Sequence, residues 1–498
     1  MKMEAHRTPI QSFYAGQTIF ITGSTGFLGK VLIEKLLRSC PDIFKIYVLI
    51  RPKKDKCPAS RMDEMCEKPL YDRVRREVPN FRKRIVPIIG DINIEGFGLS
   101  ENDQNLVINE VSIIFHLAAN VRFKANIKTS TVVNVNAVGT ILKLAKRMPN
   151  LKSLVHVSTI YANCHVEHIE ERCYSYPINY QDLIMFTRNL PEIEVQKKIS
   201  RIISRWPNVY TFTKAMAEGL VRDKSGDLPV GIFRPAIVLA TANEPLVGWI
   251  DNIYGPLGIM VNMLLGHTRF HHCNSDLKAD LVPVDFTINA LIASAWDISN
   301  QCRKGKDMII YNFVSPVDRP TWNEYSNTLL DTNKIYPLHS AIYYPCMTYL
   351  KRNIPYRICV WLYHFLPALL VDAANICMNR RPRMLKLCLM IDKYCNAAAP
   401  FCNNEWSYST DNVQVMWDRL GEEDQKLFKF NMFGFDWTKY IVDHYKGIRL
   451  FLLKDDDSTL EISRIKHKRL YWIHQTLRIV FVFIGLWIIW LMFTIIYV

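Results

Sequence analysis

Two side chains in the segment NVYTFTKAMAEGLV are spaced for acid–base chemistry. Tyr210 and Lys214 lie four residues apart in a stretch whose pattern predicts a helix, so both side chains are expected on one helix face. An ammonium group beside a phenol stabilises the phenolate and lowers the tyrosine pKa from its usual value of about 10. Such a phenol can protonate a carbonyl oxygen while hydride reaches the carbon. The alternative is a core tyrosine and a surface lysine at a chance spacing.

Two hydroxyl residues are expected beside this pair. Ser158 and Thr159 end the predicted strand SLVHVST, where a hydroxyl would point at a reacting carbonyl. One of them is expected to complete a triad with Tyr210 and Lys214, and Thr159 is favoured as the last residue of the strand. The residues alone leave the choice open, because the other hydroxyl would form a hydrogen bond within the turn.

A glycine-rich turn between a predicted strand and a predicted helix indicates a dinucleotide site. The turn has the pattern TGxxGxxG, in which glycines allow a tight bend and let a pyrophosphate approach the positive end of the helix dipole. A turn that only packs the helix on the strand is the alternative. The residues predicted to contact the dinucleotide here are Thr22, Gly23, Thr25, Gly26, Phe27, Leu28 and Gly29.

The end of the second predicted strand is basic rather than acidic. Arg51, Lys53 and Lys54 follow the strand IYVLI and cannot accept a hydrogen bond from a ribose hydroxyl, but their charge suits a 2′-phosphate. NADPH is therefore the predicted cofactor, with a solvated basic loop as the alternative. From Arg51 to Arg84 the chain has twelve Lys and Arg against six Asp and Glu, a surplus that could equally attract the phosphates of coenzyme A.

Two later strand ends supply further predicted cofactor contacts. Asp91, in GDIN, could face the adenine, and the small residues Ala118 and Ala119, followed by Asn120 in HLAAN, would leave room for the cofactor. Plain helix packing explains the two alanines almost as well.

Short apolar runs alternate with helical patterns from Thr18 to about Asn243, which predicts an α/β fold with a doubly wound, Rossmann-type parallel sheet. We divide the chain into consecutive parts. Residues 14–330 are the predicted nucleotide-binding domain with substrate-binding loops, and residues 355–450 a helical C-terminal domain. Residues 451–478 are a polar and basic linker, and residues 479–498 a transmembrane anchor.

The last twenty residues, IVFVFIGLWIIWLMFTIIYV, are uncharged and long enough to cross a bilayer as a helix. Basic residues before them favour a single-pass C-terminal anchor with the rest of the chain in the cytosol, and a buried core helix is the alternative. The endoplasmic reticulum is the favoured membrane and the peroxisome the alternative. The apolar run Ile358–Val371 is interrupted by Pro367, so a core, dimer-forming or membrane-surface helix is expected there rather than a second span.

The composition limits the classes of binding partner and the cellular compartment that are expected. The formal net charge of +15 indicates an anionic partner, and a phosphorylated cofactor and a membrane account for it without nucleic acid. No metal site is expected, because the histidine clusters lack a second ligand pair at zinc spacing. Thirteen cysteines without a CxxC pair are typical of a reducing compartment. The oligomeric state stays open, a homodimer included.

Taken in order, the segments TGSTGFLG, LIRPKK, HLAAN, HVSTIYAN, PNVYTFTKAMAE, FRPAIV and GWIDNIYGP resemble the fatty acyl-CoA reductases of the extended short-chain dehydrogenase superfamily. The resemblance covers nearly the whole chain. It implies NADPH-dependent reduction of a long-chain acyl-CoA to a primary alcohol through an aldehyde, with two NADPH consumed. It also implies that Lys214 holds the nicotinamide ribose and that Arg234 and Pro235, in FRPAIV, belong to the cofactor site.

Two other functions fit parts of the sequence. A membrane steroid dehydrogenase or isomerase of the same superfamily shares the glycine turn and the YxxxK pair, but would use NAD and would not need Arg51. A non-catalytic NADPH-binding membrane scaffold would not need the hydroxyl pair beside Tyr210 and Lys214.

Overall fold

The computed structural model describes residues 7–53, 56–123, 125–301 and 308–497. The chain forms two compact units that are interleaved along the sequence. The first unit comprises Met1–Trp249, Asp280–Arg319 and Glu405–Phe435, and the second comprises Ile250–Ala279, Pro320–Asn404 and Asp436–Val498. The consecutive domains expected from the sequence therefore differ from the observed division, because contacts between distant segments, which no local pattern encodes, define each unit.

Within the described residues, the strands form a central sheet and three short pairs. In chain order they are β1 Thr18–Thr22, β2 Lys45–Ile50, β3 Ile85–Ile89, β4 Ile113–His116, β5 Ser153–Val157, β6 His168–Ile169, β7 Val230–Pro235, β8 Ile237–Leu239, β9 Phe270–His272, β10 Leu281–Pro283, β11 Ile310–Phe313, β12 Thr348–Leu350 and β13 Ser407–Tyr408.

The central sheet confirms the predicted fold class. Seven strands lie in the order β11-β7-β5-β4-β1-β2-β3, and every neighbouring pair is parallel. The strand order reverses at β1, which lies between β2 and β4. In sheets of this kind, ligands bind beyond the carboxyl ends of the strands at such a switch point. The glycine turn follows β1, and the predicted segment HLAAN begins with the last residue of β4, so both lie at this point.

The helices that surround the sheet and build the second unit are α1 Pro9–Tyr14, α2 Phe27–Ser39, α3 Pro58–Cys66, α4 Asp72–Glu77, α5 Glu101–Glu110, α6 Ile127–Thr131, α7 Ala137–Ala145, α8 Tyr180–Asn189, α9 Glu192–Ile203, α10 Val209–Lys224, α11 Pro256–Leu264, α12 Val284–Asn300, α13 Trp322–Ile335, α14 Asn353–Val360, α15 Leu366–Cys377, α16 Met384–Asn403, α17 Asp411–Asp418, α18 Glu422–Leu427, α19 Trp437–Gly447 and α20 Leu460–Tyr497.

The middle of the sheet is apolar on both faces. Every residue of β1 and β4 is buried, as expected when helices cover a parallel sheet on both sides. The cofactor-side helix α2 packs against α12, and α7 packs against α10. A fully buried side chain such as Phe20 contributes roughly 1.5–3 kcal/mol relative to an exposed one. Apolar burial therefore holds the strand ends in register for the site.

A buried group of charged side chains fixes α2. Arg38 Nε donates to Glu34 at 2.8 Å, Arg38 Nη2 lies 3.0 Å from a Glu244 oxygen, and Lys35 Nζ donates to the same Glu244 carboxylate. Burial raises the pKa of Glu34, and the Arg38 guanidinium opposes this shift. The paired charges compensate one another away from water and connect the glycine-turn helix to the loop that carries Glu244.

The second unit is mainly helical. Its helices α13 and α19 pack together, and Tyr325 OH lies 3.2 Å from His444 Nε2 across them. Within the described parts of the chain, two helical stretches are apolar enough to cross a membrane by length and composition, Asn353–Cys377 and Asp457–Ile495. Residues 460–478, expected to be a linker, belong instead to the continuous helix α20.

Replacing Gly29 with alanine is expected to lower the free energy of unfolding by about 1–3 kcal/mol. A Cβ atom at Gly29 would lie 2.4 Å from Gly23 O and 2.7 Å from Ser24 Cα, so the backbone of the turn would have to move. The measurement is the thermal unfolding midpoint of the full-length protein.

Gly139→Ala is the matched control. A Cβ atom there meets only Leu220 Cδ1 at 3.8 Å, and alanine favours the helix by about 1 kcal/mol over glycine, so its midpoint should stay level or rise. Equal midpoints for the two variants would contradict the packing argument at Gly29.

Candidate active site

Three residues of α10 are spaced four apart and share one face of the helix: Tyr210, Lys214 and Glu218. The helix begins at a cap in which the Asn208 side chain accepts the Thr211 amide at 3.0 Å. Lys214 Nζ is buried and donates to the Val157 carbonyl at 2.7 Å, at the last residue of β5. The structure therefore brings the predicted tyrosine and lysine to the strand end that carries the predicted hydroxyls.

The two hydroxyl residues after β5 have different partners. Ser158 Oγ donates to Glu218 Oε1 at 2.5 Å, so its hydroxyl is directed into the interior. The Thr159 hydroxyl instead accepts the Tyr161 amide at 3.4 Å, and it lies near enough to the Tyr210 phenol to lower the pKa of that group. Only Thr159 therefore shares an interaction with the predicted catalytic tyrosine.

Glu218 is a buried hub that the sequence analysis did not identify. Its carboxylate accepts hydrogen bonds from Arg234 Nε at 3.0 Å and Nη2 at 2.7 Å, and from Asn163 Nδ2 at 3.1 Å. Tyr176 OH lies 3.4 Å from the same carboxylate. A buried carboxylate with a two-pronged guanidinium partner keeps its charge compensated. Its signal in the sequence was the continued spacing of four residues after Lys214.

Arg234 has a structural role that differs from the predicted cofactor contact. It is completely buried, and besides Glu218 it donates to the Glu170 carbonyl and the Arg172 carbonyl, both at 3.0 Å. A guanidinium has five donors in a fixed fork, and this environment occupies them on both sides. Pro235 is the last residue of β7 and pairs with Phe313 of β11. The carboxylate of Glu218 compensates the charge of Arg234, and the cofactor contacts of Arg234 and Pro235 stay predictions.

The pKa shifts at the pair differ from the sequence-based expectation. Burial raises the pKa of Tyr210 to about 12, opposed by the hydrogen bond with Thr159, and Lys214 does not lower it. The reason is that Lys214 Nζ is directed to the Val157 carbonyl. Burial lowers the pKa of Lys214 to about 8, while the nearby Glu218 acts in the opposite direction.

The glycines of the turn after β1 are required by close backbone packing. Gly23 has a φ of +75°, and a Cβ atom there would lie 2.8 Å from Ala118 N, so glycine is required on both counts. Gly26 caps the first turn of α2, and its amide donates to Gly23 O at 2.9 Å. With no side chain at Gly23 or Gly29, a pyrophosphate could approach the backbone and the amino end of α2. The residues here fit a dinucleotide.

Thr22 connects this turn to the neighbouring strand. Its hydroxyl lies 2.7 Å from His116 Nδ1 and accepts the Ala118 amide at 3.3 Å. His116 stacks on His156 with 5.5 Å between ring centres. Burial lowers the pKa of His116 to about 3, and Lys214 acts in the same direction, so the ring is neutral at physiological pH. This neutral pair supports the cofactor edge, and sequence reasoning missed it.

Asn134 is a second residue that the sequence analysis missed. It lies in the irregular turn Val132–Asn136 and accepts the Asn120 amide at 2.8 Å. Its Nδ2 atom donates to Thr213 Oγ1 at 2.9 Å, on the helix that carries the tyrosine and lysine. Asn134 therefore holds the predicted contact Asn120 in a defined position relative to α10. Its signal in the sequence was a polar residue, one of the two asparagines Asn134 and Asn136, inside an apolar helical run.

The basic end of β2 lies beside the loop that carries Asp91. Arg51 Nη1 lies 4.0 Å from an Asp91 oxygen, and Arg61 donates to the Arg51 carbonyl at 2.5 Å. Arg51 and Lys53 are exposed, and Lys54 lies outside the described residues. Arg61, which was not predicted, adds a guanidinium beside Arg51. This edge can bind a phosphate group.

The remaining predicted cofactor residues surround the same turn. Thr25, Phe27, Leu28 and Ala119 are each partly exposed. The Phe27 ring stacks on Trp249, from the segment GWIDNIYGP, at 5.6 Å between centres. Among the residues that the structure describes, no group of three or more His, Cys, Asp or Glu side chains could hold a metal ion.

The sequence matches two family models, both described as male sterility protein. An NAD-binding model covers residues 21–291, and a second model covers residues 363–455. The chain is 38% identical to fatty acyl-CoA reductase wat of Drosophila melanogaster over 96% of this chain and 92% of that protein. It is 35% identical to human fatty acyl-CoA reductase 1, over 92% of this chain and 88% of that protein.

Solved structures support the fold. The terminal R domain of the myxalamid PKS-NRPS pathway superposes with a TM-score of 0.56 at 22% identity, covering 89% of this chain and 92% of that one. The reductase domain of a nonribosomal peptide synthetase from Mycobacterium tuberculosis gives a TM-score of 0.55 at 18% identity, covering 88% and 92%. The matched NAD-binding model indicates a nicotinamide cofactor for this chain.

Lys214 is expected to make stability depend on pH. Its pKa is about 8 in the folded protein and about 10.4 when unfolded, so between these values the unfolded state binds more protons and stability rises with pH. Below pH 8 the full cost of the buried ammonium is present. Relative to Lys214→Met, the free energy of unfolding of the wild type should therefore rise by about 2 kcal/mol between pH 7.5 and 10.

Unfolding midpoints of both full-length proteins across this pH range measure the difference. Lys143→Met, at an exposed lysine of α7, is the matched control and should follow the wild type at every pH. Parallel curves for the wild type and Lys214→Met would show that the ammonium is not held at a lowered pKa.

Proposed function

We propose, from the premise that the chain belongs to the fatty acyl-CoA reductase family, that it uses NADPH to reduce long-chain fatty acyl-CoA to the primary alcohol through an aldehyde. The observation that carries this proposal is the meeting of Tyr210, Lys214 and Thr159 at the carboxyl end of β5, in the same unit as the glycine turn.

The cofactor supplies a hydride equivalent for each of the two reductions. Tyr210 and Thr159 bind the substrate oxygen and stabilise the negative charge that develops on it. In the first reduction the thioester becomes a hemithioacetal, which loses the coenzyme A thiolate and leaves the aldehyde. In the second, the Tyr210 phenol donates its proton to the aldehyde oxygen and the alcohol forms. No acyl-enzyme cysteine is required.

Lys214 serves as a charged and orienting group. Its ammonium lies one helical turn from Tyr210, where it can hold the nicotinamide ribose and favour the phenolate once the proton has been donated. The position of Lys214 at the Val157 carbonyl is the resting position of a side chain that must reach a ribose hydroxyl.

Thr159 is the proposed third catalytic residue, and Ser158 a positioning residue. The hydroxyl of Thr159 interacts with Tyr210, whereas that of Ser158 is bonded to the buried Glu218. Ser158 thereby connects the strand end to α10 and keeps the distance between Thr159 and Tyr210 constant.

The preference for NADPH rests on charge. Arg51 and Lys53 are exposed at the end of β2, and Arg61 lies beside Arg51. Guanidinium groups bind a 2′-phosphate through paired hydrogen bonds, whereas a ribose hydroxyl would need an acceptor. Asp91, bonded within its own loop to Asn93 Nδ2 at 2.6 Å, can then face the adenine.

The end of α20 is the proposed membrane anchor, with the catalytic unit on the cytosolic face of the endoplasmic reticulum and peroxisomes as the alternative. Basic residues precede the uncharged segment 479–498, as expected for its cytosolic end. Long acyl chains partition into membranes and long-chain alcohols are nearly insoluble, so an anchored enzyme stays close to both.

Product analysis tests this function. Membranes that carry the full-length protein are expected to convert palmitoyl-CoA to hexadecanol with NADPH and far more slowly with NADH. Tyr210→Phe should lower the rate by at least about 10²-fold, because the proton donor is lost. Tyr254→Phe, at an exposed tyrosine, is the matched control and should keep the wild-type rate. Neither alcohol nor aldehyde across a range of acyl lengths would refute the proposal.

Replacements of Thr159 and of Ser158 are expected to differ in their effects on kcat and on the free energy of unfolding. Thr159→Ala should lower kcat by about 10²–10³-fold, as for loss of an oxyanion donor, and Thr159→Ser should restore most of it. Ser158→Ala should lower the free energy of unfolding by about 1–3 kcal/mol, because Glu218 loses a donor, with a smaller effect on kcat. Steady-state rates and unfolding midpoints test both. The reverse order of effects on kcat would assign the catalytic role to Ser158.

A further inference from the structure

The helical stretch Asn353–Cys377 in the second unit presents a broad apolar face to the outside. Its large side chains are strongly exposed, with fractions of 76% for Ile354, 58% for Trp361 and 62% for Leu370. Isolated exposed apolar residues are ordinary, but a continuous row along one helix indicates a binding surface. We call this row the apolar face; it consists of Ile354, Ile358, Trp361, Leu362, Leu370 and Ile376.

The other side of the same stretch is fastened to its own unit. Tyr356, Val360 and Ala368 are buried, and the His364 ring accepts the Arg269 amide at 3.1 Å. The stretch is therefore neither a core helix nor a free one, and Pro367 lies inside it without ending it. One side is packed and the opposite side is unpartnered within the described residues of the chain.

The apolar face lies beside the proposed anchor. The Tyr363 ring packs against Phe481 of α20 with 5.3 Å between ring centres. Phe481 is the third residue of the uncharged segment that begins at Ile479, which is about 3 Å along the helix axis. A bilayer that holds this segment therefore begins at the level of Tyr363. The neighbours of Tyr363 on the apolar face must then meet the same lipid layer.

A cluster of positive charge follows the apolar face. Arg380, Arg381 and Arg383 are exposed, and none of them forms an ion pair in the described parts of the chain. Their position is defined, because the Asp372 carboxylate accepts the amides of Arg383 and Met384 at 2.9 and 3.0 Å. Basic side chains next to an apolar helix face are typical of helices that lie in the interface of an anionic membrane.

We infer that Asn353–Cys377 is an in-plane membrane helix, whose apolar face enters the cytosolic leaflet while Arg380, Arg381 and Arg383 bind anionic lipid headgroups. The inference rests on the proposed anchor and adds a second attachment to it. A spanning role is disfavoured because Tyr356, Val360 and Ala368 pack on protein along one side of the stretch. A second copy of the chain would bring the same basic cluster to its partner, which disfavours it as the occupant.

Depth-dependent quenching in the full-length protein tests this inference. A fluorescent amino acid is incorporated at position 362, 370, 483 or 327, one at a time, and the protein is reconstituted in vesicles that contain nitroxide-labelled phosphatidylcholine. Position 483 reports the anchor, and 327, an exposed asparagine of the same unit, reports the aqueous phase. Positions 362 and 370 should be quenched at least about twofold more than 327, by a nitroxide near the headgroups more than by one at the chain ends.

Each alternative has its own outcome. Quenching at 483 with 362 and 370 at the level of 327 would overturn the in-plane helix and leave the anchor intact. No quenching at 483 would remove the proposed anchor and the inference with it. A photo-crosslinking amino acid at 370 that joins two copies of the chain, without lipid adducts, would also overturn the inference.

The arginines are tested by lipid charge. With phosphatidylserine in the vesicles, quenching at 370 should increase about twofold over neutral vesicles, and added salt should reverse the increase. The variant Arg380→Gln, Arg381→Gln, Arg383→Gln should lose this increase. A matched variant with three exposed basic residues replaced at the end of α7 and just after it, at Lys143, Lys146 and Arg147, should keep it. Equal responses of the two variants would refute headgroup binding by the arginines.

Discussion

The buried ion pair between Glu218 and Arg234 holds together the edge of the sheet where the chemistry is proposed. Both side chains are almost completely buried, and the pair is joined by Ser158 at the end of β5 and by Asn163 in the following turn. Removing one partner of such a pair leaves an uncompensated charge away from water, which costs about 3–5 kcal/mol. The position of α10 depends on this contact, and so do the positions of Lys214, one turn before Glu218, and Tyr210, two turns before it.

The same principle operates at the cofactor turn. The glycines let the turn pack closely, because a side chain at Gly23 or Gly29 would meet backbone atoms. The helix that follows is held by its own buried charges, Glu34, Lys35 and Arg38. Thr22 and the neutral His116 join β1 to β4 across the switch point. Rigid backbone on both sides of an open groove is what a pyrophosphate requires, since its binding uses amide groups and a helix dipole rather than flexible side chains.

The exposed apolar surface of the second unit is explained by the substrate's preference for membranes. A long acyl chain is concentrated in membranes, so an enzyme that acts on it gains from being held at the lipid surface. The helix α20 ends in residues that can cross a bilayer, and the stretch Asn353–Cys377 beside it remains exposed and apolar. An anchor alone would let the unit rotate about one tether, whereas a second contact in the plane of the leaflet would restrict that motion.

The sequence by itself determined the class of fold, the glycine turn and the apolar C-terminal segment, because each follows from a local pattern. These patterns are short apolar strands, a turn that only glycine permits, and a run of twenty uncharged residues. It also predicted that Tyr210 and Lys214 share a helix face. Only the tertiary structure decided the interleaving of the two units, the direction of each hydroxyl after β5, and the partner of Arg234. These depend on which distant groups meet in the interior. An unpaired charge is too costly to keep there, so the buried Arg234 guanidinium is paired with the Glu218 carboxylate.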